Sequence, residues 1–243
     1  MGIRKIVSYT FKEYRRNMWL ISMLSAMFVI SMLPLFFVPT ATYISLGGNY
    51  ISTGSIPVMS LLEIAIIAIS YLISLFVFAD ALTNINLIIK ANRTVSKVPK
   101  EIFGGIMKYA VKIFFIFTMA VLLLFAINIA TFDSGFHSVI YPLASFVVFA
   151  CIFFVPPAVV IDELDTFRAV GASIGMLRLK WKMVLFWAVM ALIAISIIEL
   201  LVFAVIPYEF AKYLMVAVNG LIIIPIFTIF QTQAYMEKYP LSP

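Results

Sequence analysis

Two patterns of apolar residues alternate along this 243-residue chain. In the first, apolar side chains fill most positions for about twenty residues, leaving no continuous polar stripe for water. Six such runs stand at approximately 18–39, 58–79, 109–131, 139–161, 183–206 and 213–233. A helix rises about 1.5 Å per residue and the hydrocarbon layer is about 30 Å thick, so each run is long enough to cross it. In the second pattern, apolar residues recur every three or four positions between cations. Ile3, Val7, Phe11, Tyr14 and Met18 do so among Arg4, Lys5, Lys12 and Arg15; Ile102, Ile106, Tyr109 and Ile113 follow Pro99; and Phe167, Val170, Ile174, Leu177 and Trp181 precede the fifth run. That spacing predicts helices lying in a membrane interface, apolar face in lipid. The expected fold class is all-α: a polytopic membrane protein with six transmembrane helices, arranged as three hairpins, each preceded by an amphipathic elbow helix. Residues 1–243 form one membrane domain, with 1–17 as its first interfacial segment.

Composition agrees. Hydrophobic residues are 64% of the chain and charged residues 12%, and mean hydropathy is +1.13, well away from the values of soluble domains. The basic balance does not point to nucleic acid, because the cations segregate by loop. Fifteen of the seventeen Lys and Arg residues fall before the first run, between the second and third, between the fourth and fifth, or after the sixth, and Lys112 stands three residues inside the third run at that same end; Lys212 alone lies between the fifth and sixth. Positive loops stay inside, so both termini are expected in the cytoplasm and the protein in the cell membrane. Trp19, Tyr109, Tyr141, Trp187 and Tyr213, near the run ends, are expected at headgroup level. The first run is longer than a signal-peptide core and lacks a small-residue cleavage pattern after it. A single cysteine, Cys151, permits no intrachain disulfide.

Polar residues in or beside the runs are the candidates for chemistry, because charge in hydrocarbon is costly. Glu63 and Glu199 sit at similar outer depths, and the depth admits a shared proton between them or plain interfacial roles. Asp80 and Lys112 flank the inner interface, with an ion pair or snorkelling as the expectation. The stretch "FVPPAVVIDELD" passes Pro156 and Pro157, a candidate hinge because each removes a helix N–H, and ends in an acidic turn, Asp162, Glu163 and Asp165. There Asp165 suits a helix N-cap and an ion pair with Arg168. Gly171 and Gly175 form a G-x-x-x-G able to admit a close helix neighbour. His137, the only histidine, reads as a loop residue. No metal, cofactor or catalytic motif is found: there is no P-loop, dinucleotide fingerprint, H-E-x-x-H or C-x-x-C.

The segment "FFVPPAVVIDELDTFRAVGASIGMLRLKWKMVLFW" resembles poorly characterised archaeal and bacterial six-helix membrane families, related to the membrane domain attached to some glycerophosphodiester phosphodiesterases. Phe154, Val155, Pro156, Asp162, Glu163, Ala169, Ser173, Arg178 and Lys180 match that pattern over about 35 residues. The resemblance implies a fold; the phosphodiesterase domain itself is absent, and its chemistry does not carry over. The basic amino-terminal helix, six runs and "KVPKEIFGGIMKY" also resemble ABC-2-type permeases, which implies docking to a separate ATPase. Three functions follow. The leading expectation is a non-enzymatic membrane-embedded partner or scaffold whose basic elbows hold anionic lipid headgroups. The alternative is a permease-type transporter subunit. Last is an intramembrane enzyme acting on lipid, for which no reactive constellation is found.

Overall fold

A computed structural model describes residues 3–36, 61–94, 106–132 and 134–237, and these are entirely helical and irregular, with no strand among the described residues. The chain runs through α1 (Ile3–Arg16), α2 (Met18–Phe36), α3 (Leu61–Thr94), a π-helical turn (Ile106–Ala110) into α4 (Val111–Thr131), α5 (His137–Ile152), α6 (Val155–Ile161), α7 (Thr166–Val205), α8 (Tyr208–Val218), a second π-turn (Asn219–Ile223) and α9 (Ile224–Met236). Among the described residues, five helical stretches are long and apolar enough to cross a membrane: Ile64–Asn92, Lys108–Thr131, His137–Ile161, Thr166–Val205 and Tyr213–Met236. The apolar part of α2, Met18–Ser31, is shorter. The expected first run extends to residue 39, so its end lies outside the described residues, as does most of the second elbow.

The second run departs most from expectation. Its helix does not stop near Ala79 but continues to Thr94, about 51 Å at 1.5 Å per residue. Asp80, Asn84 and Asn86 resemble an exit into water when read along the chain. In the fold they are buried with Ala79, Ala81, Leu82, Ile85 and Leu87, because α2, α4, α6 and α9 surround this stretch. Two apolar clusters join there. Ile21, Phe28, Leu82, Ile85, Ile88, Ile89 and Ile229 form one. Ile6, Ile113, Phe154, Val159, Met183, Phe230 and Tyr235 anchor the other. Phe28 meets Phe78 at 5.2 Å between ring centroids.

The first and third elbows pack on the protein, where their apolar faces are expected in lipid. In α1, Ile6 and Thr10 are buried and Ile3 and Val7 pack on the core, while Phe11 stays exposed. Protein, not lipid, takes most of this stripe. In α7 the inward stripe is Ala169, Ser173, Met176, Met183 and Val184, while Phe167 and Trp181 are exposed. Elbow and fifth run form one 40-residue helix bent at Lys180, whose φ of −121° and ψ of 21° break the helical path. Of the aromatic residues expected at headgroup level, Trp19 and Tyr213 are exposed, but Tyr109 and Tyr141 are buried. Trp187 also turns inward: its Nε1 donates to the Phe227 carbonyl at 3.0 Å and its ring packs edge-on to Phe153 and Phe227.

Candidate functional site

The two prolines locate the site. A helix continuing through them would lack the N–H groups that bond the carbonyls of Ile152 and Phe153. The chain breaks at Phe153 and Phe154, and α6 restarts with the prolines in its first turn, where a missing N–H costs nothing. Every residue from Val155 to Val160 is buried, so the freed backbone groups need partners from elsewhere. Three helices supply them. Ser173 of α7 accepts the Phe154 N–H at 2.9 Å and donates to the Cys151 carbonyl at 2.6 Å. Gln231 of α9 donates to the Phe153 carbonyl. Lys90 of α3 donates to the Val160 carbonyl in the last turn of α6, at 2.9 Å.

The acidic turn follows directly. Glu163 leaves α6 with φ of 55°, a left-handed conformation that costs a non-glycine residue about 1–2 kcal/mol. The same geometry aims its carboxylate at Lys108 (2.6 Å) and Lys90 (2.9 Å). Both ammonium groups also lie over the Tyr109 ring, at 4.8 and 5.6 Å. Lys108 first, then Lys90, hold the Glu163 carboxyl down to about 2. Asp165 accepts from Lys112 at 2.7 Å, which lowers its pKa too. Asp162 accepts from the Tyr235 hydroxyl at 2.6 Å. Asp165 does occupy the N-cap position of α7, but its side chain makes no cap bond; Lys112 takes the carboxylate instead. One turn thus ties α3, the first π-turn, α4 and α9 to the start of α7.

The other candidates separate. Asp80 and Lys112 do not pair: the continuous α3 places Asp80 inside, where Asn84 Nδ2 donates to it at 3.1 Å, while Lys112 reaches Asp165. Asp80 Oδ1 and Asn84 Oδ1 have no hydrogen-bond partner among the described residues. Farther along α3, Asn86 Oδ1 accepts from Thr232 of α9 at 2.7 Å. Glu63 stands in the first turn of α3, and its side chain lies outside the described residues. Glu199 is half-exposed on α7, and no contact between the two is among those described. A Cβ added at Gly171 or Gly175 would meet no other atom within 4 Å, so that glycine pair admits no close helix neighbour among the described residues; the close approach occurs at Gly220, beside Val29. His137 is less solvated than expected, with Nδ1 3.0 Å from Thr131 Oγ1 and its ring stacked on Tyr141. Among the described residues no group of three or more His, Cys, Asp or Glu is placed to hold a metal.

Sequence reasoning found the acidic turn and the prolines but missed Ser173, Gln231, Lys90 and Tyr235 as their partners. Ser173 stood out only through the resemblance and Lys90 only as one cation of a basic connection, while Gln231 and Tyr235 were polar groups at otherwise apolar positions.

The helices define a membrane-embedded, all-α protein. Comparisons with protein-family models, curated proteins and solved structures returned no match to this chain.

Proposed function

We propose that this is a six-span protein of the cell membrane, with both termini cytoplasmic, that works as a membrane-embedded scaffold rather than as an enzyme. Its basic end faces the cytoplasm, holds anionic lipid headgroups and presents a fixed surface to a protein partner. The resemblance of the Phe154–Lys180 segment to the membrane domain of phosphodiesterases fits this reading, since such a domain carries another activity rather than supplying one.

The observation that carries it is the cross-tied acidic turn. Its carboxylates are each matched inside the molecule, to Lys108, Lys90, Lys112 and Tyr235. Glu237 at the end of α9 is likewise paired with Lys180 at the bend of α7. The acids are thus committed to holding helices together, whereas Arg4, Lys5, Lys12, Arg15, Arg168, Arg178 and Lys182 remain exposed. That arrangement suits a rigid platform with an outward positive field.

The test is isolation from native membranes in lipid nanodiscs, followed by stoichiometry of what co-purifies. A partner of fixed stoichiometry without ATPase motifs supports the scaffold. A stoichiometric P-loop ATPase replaces it with the permease reading, and a chain that carries only lipid refutes it.

A further inference from the structure

The membrane-crossing half of α7 is the least covered of the long helices. Only 6% of its most apolar stretch is buried, against 22% or more in the other four. Along this half, Leu185, Val189, Leu192, Ser196, Glu199 and Phe203 recur alternately four and three residues apart. That 3.5-residue repeat keeps one stripe facing a partner helix in a left-handed pair. Every member is exposed except Glu199, which is half-exposed. From Leu185 to Phe203 the stripe runs about 27 Å, most of the hydrocarbon thickness.

Lipid tails do not satisfy this stripe. Glu199 has no hydrogen bond or ion pair with any described residue, and Ser196 lies one turn away on the same line. The flank of the helix about 120–160° round from the stripe, with Met190, Ile197 and Leu201, is also exposed but wholly apolar, and suits lipid. We propose that α7 pairs in parallel with α7 of a second copy of this chain, through the Leu185–Phe203 stripe, across a two-fold axis along the membrane normal. The argument for a second copy is self-complementarity. A two-fold axis sets Glu199 against Glu199 and Ser196 against Ser196. Each Ser196 hydroxyl is both a donor and an acceptor, so across the axis it can donate to the second copy's Glu199 carboxylate without a cationic partner. Two copies share one insertion direction, which a parallel pair requires.

The experiment uses full-length protein with Cys151→Ala, purified and diluted into phosphatidylglycerol–phosphatidylcholine vesicles. Single cysteines are placed on the stripe, as Leu192→Cys, and on the apolar flank, as Ile197→Cys, then oxidised with copper phenanthroline. Leu192→Cys should give at least ten-fold more disulfide dimer than Ile197→Cys. Equal yields from the two faces, or no dimer from either, overturn the proposal and leave lipid or a different membrane protein as what covers the stripe. Adding Ser196→Trp to Leu192→Cys should cut the dimer about ten-fold, while adding Ile197→Trp should not; an unchanged yield with Ser196→Trp also overturns it. Both tryptophans replace exposed side chains, and circular dichroism checks that each variant keeps its helices.

Discussion

Replacing Ser173 with alanine removes one hydroxyl and leaves two backbone groups without partners. The Phe154 N–H loses its acceptor and the Cys151 carbonyl loses its donor. Ser173 and Phe154 are both fully buried, so neither lipid nor water replaces the lost bonds without movement. Each buried, unsatisfied backbone group costs about 1–3 kcal/mol. Partial relaxation of the α5–α6 break offsets some of this, which puts the expected loss for Ser173→Ala at about 2–5 kcal/mol. Set against a typical stability of about 5–15 kcal/mol, that is a severe change for one oxygen atom. The assay is reversible sodium dodecyl sulfate titration in mixed micelles, followed by circular dichroism, with Ser8→Ala as the exposed-hydroxyl control. Ser8→Ala should shift stability by no more than about 0.5 kcal/mol. Ser173→Cys, with a weak donor and a weak acceptor, should fall between them. A Ser173→Ala loss no larger than the Ser8→Ala loss would refute the claim that this hydroxyl closes the break.

Three further outcomes are expected. The Glu163 carboxyl is held at about 2, below its ordinary 4.5, so its contribution is complete above about pH 4.5 and disappears as pH falls toward 2. Because Glu163 is nearly half-exposed, screening limits that contribution to about 1 kcal/mol; the stability gap between wild type and Glu163→Gln should be constant from pH 7 to 5 and close below 4.5, and a gap unchanged down to pH 3 would discount the ion pairs. Gly220→Ala sets a Cβ 2.7 Å from Val29 Cγ2 and 3.1 Å from its backbone nitrogen, which should cost about 1–3 kcal/mol, partly recovered by Val29→Ala; Gly171→Ala, with open space around it, should instead stabilise by up to about 1 kcal/mol in the same titration. A double-mutant cycle of Asn86→Ala and Thr232→Val should show a coupling of about 0.5–2 kcal/mol for the buried α3–α9 bond, and independent effects would mean the two side chains do not hold each other.

How far the sequence could be read depended on the kind of force each feature rests on. The long apolar runs were legible because exclusion from water acts on every residue of a segment at once, and the third, fourth and sixth expected segments match helical stretches within a few residues. The acidic turn was legible as an exit from an apolar stretch, but its left-handed Glu163 was not, since no glycine marks the spot. Asp80 misled because a carboxylate at the end of an apolar run looks the same in sequence whether water or packed helices receive it. The elbows misled for a related reason: helical spacing marks an apolar stripe without saying whether lipid or protein covers it, and α1 and the start of α7 pack on protein.

By itself the sequence determined that this chain is helical, that it belongs in a membrane, and that its cations gather between particular spans. All of these depend on the local sum of transfer free energies and need no knowledge of neighbours. Only the tertiary structure decided which polar side chain answers which backbone group: Ser173 and Gln231 come from two helices to the break at Pro156 and Pro157, and Lys90 from a third to the last turn of α6. A hydrogen bond exists between two specific atoms at a specific distance, and residues separated by up to 78 positions acquire that distance only when the helices pack.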